Sequence, residues 1–97
     1  MSKDIYKNGM YYELAVLATK LNPWFDIDKI RSHSVYVWSK DSDEDTFDGV
    51  NVFDIYPDYI QFYPCAYPWT MPAEAIPVIM DIQEKLKEIK EFTNEKL

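Results

Sequence analysis

One cysteine, one histidine and two glycines are all that 97 residues hold of three residue types that commonly carry chemistry. With Cys65 alone no intramolecular disulfide can form, and a reducing cytosol is the compartment such usage suits. Cys65 stands among Pro64, Ala66 and Tyr67 with no cationic neighbour to activate it, so it reads as a small buried filler rather than a catalytic thiol. Gly9 and Gly49 are too few to build a glycine-rich loop around a nucleotide phosphate. His33 lacks a serine or cysteine nucleophile motif, and the expectation for it is a turn or strand edge. Long apolar runs are also missing: nothing approaches the roughly 18 consecutive apolar residues of a membrane span. The opening run Met1 to Gly9 places charges where a signal peptide needs an apolar region. A cytoplasmic chain that binds no membrane, cofactor or structural metal is the expectation.

Positive charge is the next scarcity. Ten basic residues face seventeen acidic ones, a net charge of −7 that repels nucleic acid and favours partners with basic surfaces. Direct binding of a phosphate backbone is therefore excluded as an expectation. Against these deficits, 47% hydrophobic and 16% aromatic content is ample for a core, and residues 1–97 read as one domain.

Met10, Leu14, Leu17 and Leu21 lay an apolar stripe that predicts a helix from about Gly9 to Leu21. Asn8 can cap it, and Asn22-Pro23 ends it, because proline disfavours helical geometry in the residue before it. Ser2 to Lys7 could extend this helix, with Gly9 as the argument against continuity. Trp24 and Phe25 are expected to plug the core edge. From Asp26 to Ser32 two readings stay open, a single helical turn carrying Ile27 and Ile30 or an extended lead-in.

Three strands follow, over Ser34 to Lys40, Val50 to Tyr56 and Tyr59 to Tyr63, the last two joined by a tight Pro57-Asp58 turn. Pro64, Pro68 and Pro72 bracket an irregular link, and Thr70 is a candidate cap for the last helix. Pro77 argues either for a kink or for a regular helix that starts only near Ile76. Ile79, Ile82, Leu86 and Ile89 then form one apolar face, opposite a charged face in which Asp81 can pair with Lys85, and Lys87 with Glu91. The predicted fold is α+β: a helix, a three-stranded antiparallel meander and a helix, in two layers with both helices on one face of the sheet.

Two features could carry function. Alternation sets Val35 and Val37 against Tyr36 and Trp38, and Ile60 and Phe62 against Tyr59, Gln61 and Tyr63, which gives the sheet a second face rich in tyrosine and tryptophan. Strand two resists this sorting, because Val50 and Val52 oppose Phe53 and Ile55. Tyr36, Trp38, Tyr59 and Tyr63 either form a partner-binding face or pack beneath the proline-rich link. The second feature is the loop carrying Asp41, Asp43, Glu44, Asp45 and Asp48, which is either a docking surface for a basic partner or an ordinary solvated turn. Asp41, Asp43 and Asp45 match the first ligands of an EF-hand loop, but Thr46 stands where the turn glycine belongs and Val52 where the bidentate glutamate belongs. Asp26 and Asp28 form a carboxylate pair with no apolar pocket in sequence to adapt it to general acid work. An enzyme is the least supported class.

The size, the order of elements and runs such as Tyr56-Pro57-Asp58-Tyr59 and Phe62-Tyr63-Pro64 resemble the short, acidic, tyrosine-rich proteins of phages and prophages of low-GC Gram-positive bacteria. That resemblance implies a non-enzymatic interaction protein acting in the host cytoplasm, such as an inhibitor that presents acidic groups in place of DNA to a basic, nucleic-acid-binding host protein. The alternative is a structural subunit that self-associates, for instance as a homodimer, through its sheet.

Overall fold

The computed structural model describes residues 3–39, 51–63 and 71–95. Their elements are α1 (Lys3–Thr19), β1 (Phe25–Arg31), β2 (Ser34–Ser39), β3 (Asn51–Ile55), β4 (Ile60–Phe62), a 3-10 turn (Ala73–Ala75) and α2 (Ile76–Glu95). The strands form one antiparallel sheet in the order β1-β2-β3-β4, so the class is α+β but the meander has four strands, not three.

The extra strand is the segment whose sequence pointed two ways. Ile27 and Ile30 stand three apart, the spacing of a helical turn, yet both are half-buried in β1 because the register shifts between Ile27 and Lys29. One residue is absorbed by that bulge, so a period-2 element carries a period-3 pair on the same face. The same device explains why the residues of β3 resisted sorting. Its register shifts opposite the Val37/Trp38 step, so Val52 is buried beside Phe53 and Ile55.

Helix α1 begins well before Gly9 and runs through it. A glycine in an exposed helix interior costs only about 1 kcal/mol relative to alanine, and sixteen other residues of α1 outweigh it. Three successive tight turns, with the N–H groups of Lys20, Leu21 and Asn22 donating to Leu17, Ala18 and Thr19, close the helix before Pro23. The Leu21 carbonyl then accepts from both Trp24 and Phe25 at 2.9 and 2.8 Å, which redirects the chain into β1. Trp24 is half-buried and Phe25 fully buried, as expected of rings at the core edge.

The regular part of the last helix starts at Ile76, after a turn in which the Ala75 N–H reaches the Pro72 carbonyl. Pro77 falls in the first helical turn, where a missing N–H removes no intrahelical bond. Thr70, the expected cap, lies outside the described residues. Ile79, Ile82, Leu86 and Ile89 are all buried, in one cluster with Leu14, Ala18 and Leu21 and with Phe25, Val35, Val37, Phe53 and Ile55 of the sheet. Phe53 anchors it, its ring edge-on to Phe25 at 5.2 Å and tilted against Phe62 at 5.7 Å. Lys85 does not pair with Asp81 as expected; it bridges Glu13 of α1 at 2.5 Å and Glu88 at 2.8 Å. These two carboxylates hold its ammonium pKa above the ordinary lysine value, the Glu13 hydrogen bond most of all.

Candidate interaction face

The strand register separates two faces. Ile30, Val35, Ile55 and Ile60 are paired across the four strands, as are Ile27, Val37, Phe53 and Phe62, and both rows belong to the core side. Between them lies the row Lys29, Tyr36, Asp54 and Gln61, which alternation turns to the opposite face together with the row Asp26, Trp38 and Asn51. The sorting of β2 read from sequence is the sorting observed; in β4 the register sets Ile60 and Phe62 against Gln61, while Tyr59 lies in the preceding turn. It also decides β3, whose Phe53 and Ile55 point inward.

Asp54 is the centre of the outer face. Although it stands away from the core, it is only 2% exposed. A carboxylate so sheltered needs partners, and it has two: the Tyr63 hydroxyl donates to Oδ2 at 2.5 Å and the Asn51 amide donates to Oδ1 at 3.1 Å. The Tyr63 bond is charge-assisted, the stronger kind. It raises the Tyr63 pKa from 10.0 to about 12, with burial and the Asp54 charge adding to the effect. Tyr56 is pushed up as well, first by burial and then by the same charge. Tyr36, the cross-strand partner of Asp54, carries the Arg31 guanidinium over its ring at 5.7 Å. Trp38 Nε1 and Asn51 Oδ1, from a second cross-strand pair, are buried with no hydrogen-bond partner among the described residues.

The four aromatic residues proposed from sequence thus divide. Tyr36 and Tyr63 flank Asp54, and Trp38 stands over Asn51, all half-buried. Tyr59 sits apart on the β3–β4 turn, where its ring stacks on Tyr56 at 4.7 Å and 12°. That turn is fastened from several sides. The Tyr56 N–H donates to the Tyr59 carbonyl at 2.9 Å, the Gln83 amide of α2 donates to the Tyr56 carbonyl at 3.2 Å, and Lys90 pairs with Asp58. Together with Ser32-His33 of the β1–β2 turn and Thr93 of α2, it encloses a pocket of about 320 Å³.

Asp54, Asn51, Tyr56 and Arg31 were not singled out from sequence. The usable signal was the Pro57-Asp58 turn, which fixes the β3–β4 register and so places Tyr56 opposite Tyr59. His33 occupies an exposed turn, as expected, and Asp26 and Asp28 are exposed on the edge strand. The acidic run Asp41, Asp43, Glu44, Asp45 and Asp48, and Cys65, lie outside the described residues. Among the described residues no cluster of potential ligands could hold a metal ion, and no helix is long and apolar enough to cross a membrane. No family model matches the chain, and neither a curated protein nor a solved structure does.

Proposed function

We propose that this chain is a non-enzymatic protein-interaction domain whose partner carries a basic surface, in the manner of a phage inhibitor directed at a basic or nucleic-acid-binding host protein in the cytoplasm. The observation that carries the reading is the outer sheet face, where Tyr36 and Tyr63 flank Asp54 and Trp38 pairs with the neighbouring Asn51, in a chain of net charge −7. Tyrosine and tryptophan offer large rigid surfaces with a polar handle, the composition of binding hot spots. Asp54 has both oxygens engaged and the neighbouring phenols hold their protons, which suits a fixed recognition surface better than proton transfer. In this reading both helices cover the other face as one layer, leaving the aromatic face to the partner. The loop Asp41 to Asp48 adds long-range attraction.

The test is kinetic. Once a partner is captured, neutralising Asp41, Asp43, Glu44, Asp45 and Asp48 should slow association and flatten its salt dependence, since exposed charges act within about 8 Å at physiological salt. Trp38→Ala should instead speed dissociation with little change in salt slope. DNA that fails to compete would overturn the charge-mimic part, and an unchanged dissociation rate in Trp38→Ala would remove the aromatic face. A second reading, self-association through the sheet, is favoured by one feature, Phe62 lying 54% exposed on the edge strand β4. Sedimentation over a wide concentration range decides it, and a monomer throughout would end it.

A further inference from the structure

We infer that the pocket between the two hairpin turns and α2 receives an arginine side chain of the partner protein, its guanidinium stacked on Tyr59 and paired with Asp58. This deepens the basic-partner reading and rests on it. Three features of the pocket lead to that chemistry. The Tyr56–Tyr59 stack uses one face of each ring, and Tyr59 is 52% exposed, so a flat aromatic surface is left open. Asp58, beside it in the turn, supplies a carboxylate whose ion-pair partner among the described residues is Lys90. Both members of that ion pair are well exposed, which makes it a weak and exchangeable contact. The volume, about 320 Å³, is at the lower end of the roughly 300–1,000 Å³ of small-ligand sites and suits one side chain.

Charge selects among possible occupants. Lys90 and His33 could suggest an anion, but the Lys90 ammonium is already neutralised by Asp58 and the whole chain carries −7. A cation is drawn in where an anion is repelled. Between cations, a lysine is a compact and strongly hydrated charge, whereas a guanidinium is planar, stacks on aromatic rings and meets a carboxylate in a two-pronged geometry. The chain shows the same preference internally, with Arg31 over Tyr36. The site is also preformed, because the Gln83 to Tyr56 contact and the bond from the Tyr56 N–H to the Tyr59 carbonyl fix the turn before any ligand arrives.

The experiment titrates the intact chain with a hexa-arginine peptide, a hexa-lysine peptide of equal charge and inorganic phosphate, following backbone amide shifts by NMR. The arginine peptide should move Tyr56, Asp58, Tyr59, His33 and Lys90 and bind more tightly than the lysine peptide; phosphate should move none of them. Tyr59→Leu should weaken the arginine peptide about two- to fivefold, the range of an exposed cation–π contact, while Tyr59→Phe retains it. Lys90→Met should tighten binding about two- to fivefold, because it releases Asp58 from an exposed competitor. Equal binding of the two peptides, shifts confined to other residues, phosphate binding at the pocket, or Lys90→Met weakening the arginine peptide would each overturn the assignment. Tight arginine-peptide binding that bypasses the pocket would do so while leaving the basic-partner reading intact; binding of neither peptide would sink both.

Discussion

Replacing Tyr63 by phenylalanine isolates a single bond. The ring remains, so the packing of β4 against β3 is kept, and only the hydroxyl that donates to Asp54 at 2.5 Å is lost. Asp54 stays buried and retains the Asn51 amide, so it becomes partly rather than wholly unsatisfied. Hydrogen bonds to charged groups contribute about 1.5–3 kcal/mol, and ~2 kcal/mol is the expected loss here. For a domain of this size that corresponds to a fall in Tm of about 8–16 °C, at roughly 4–8 °C per kcal/mol. Urea unfolding followed by near-ultraviolet circular dichroism measures it, with the denaturant slope unchanged if only stability is affected. The pH dependence supplies a second check. Tyr63 keeps its proton to about 12 in the folded chain against 10.0 for the free group. A raised phenol pKa means that the unfolded chain releases the proton first, so the contribution is complete below pH ~10 and is lost as pH rises through ~12. The gap between wild type and Tyr63→Phe should therefore be constant from neutrality to pH ~10 and then close. A gap below ~0.5 kcal/mol, or one that persists undiminished at the alkaline end, would refute the role assigned to this bond.

Gly9→Ala should stabilise the chain by about 0.5–1 kcal/mol, because an added Cβ at this exposed helical position meets nothing within 4 Å; thermal melting that shows no gain would mean α1 does not run continuously through Gly9. Phe53→Ala should cost about 3–5 kcal/mol in urea unfolding, since it opens a cavity between Phe25 and Phe62. Lys85→Met should cost no more than ~1 kcal/mol despite two carboxylate partners, because Glu13 and Glu88 are well exposed and screened; its effect should shrink in high salt.

How far the fold was legible follows local regularity. The α2 face of Ile79, Ile82, Leu86 and Ile89 and the alternation of Val35 to Trp38 are uninterrupted patterns, and both elements form where expected. Pro57-Asp58 presets a turn, and the pairing of Tyr56 with Tyr59 follows from it. What escaped depends on partners distant in sequence. A bulge is a relation between two strands, so neither β1 by itself nor Val52 by itself carries its signature. The aromatic face was visible as a pattern, but its centre was not: five clustered acids drew attention to the loop from Asp41 to Asp48, whereas Asp54 has no distinction until Tyr63 and Asn51 are folded onto it. A buried carboxylate is recognisable only by its donors.

The order of the sheet has a consequence in time. Because β1 to β4 pair strictly with their sequence neighbours, the whole sheet can assemble as soon as Phe62 has emerged from the ribosome. Its apolar rows are then still without Ile79, Ile82, Leu86 and Ile89, which come at the far end of the chain. At about 5–20 residues per second, roughly 1–5 s separate Phe62 from Ile89 during translation. A chain arrested in that interval is a sheet with one open apolar face, a species prone to aggregation and a natural client for chaperones. Released truncated chains ending before Ile79 should therefore be sensitive to protease and bind a hydrophobic dye, and both properties should vanish together in the chain that includes α2.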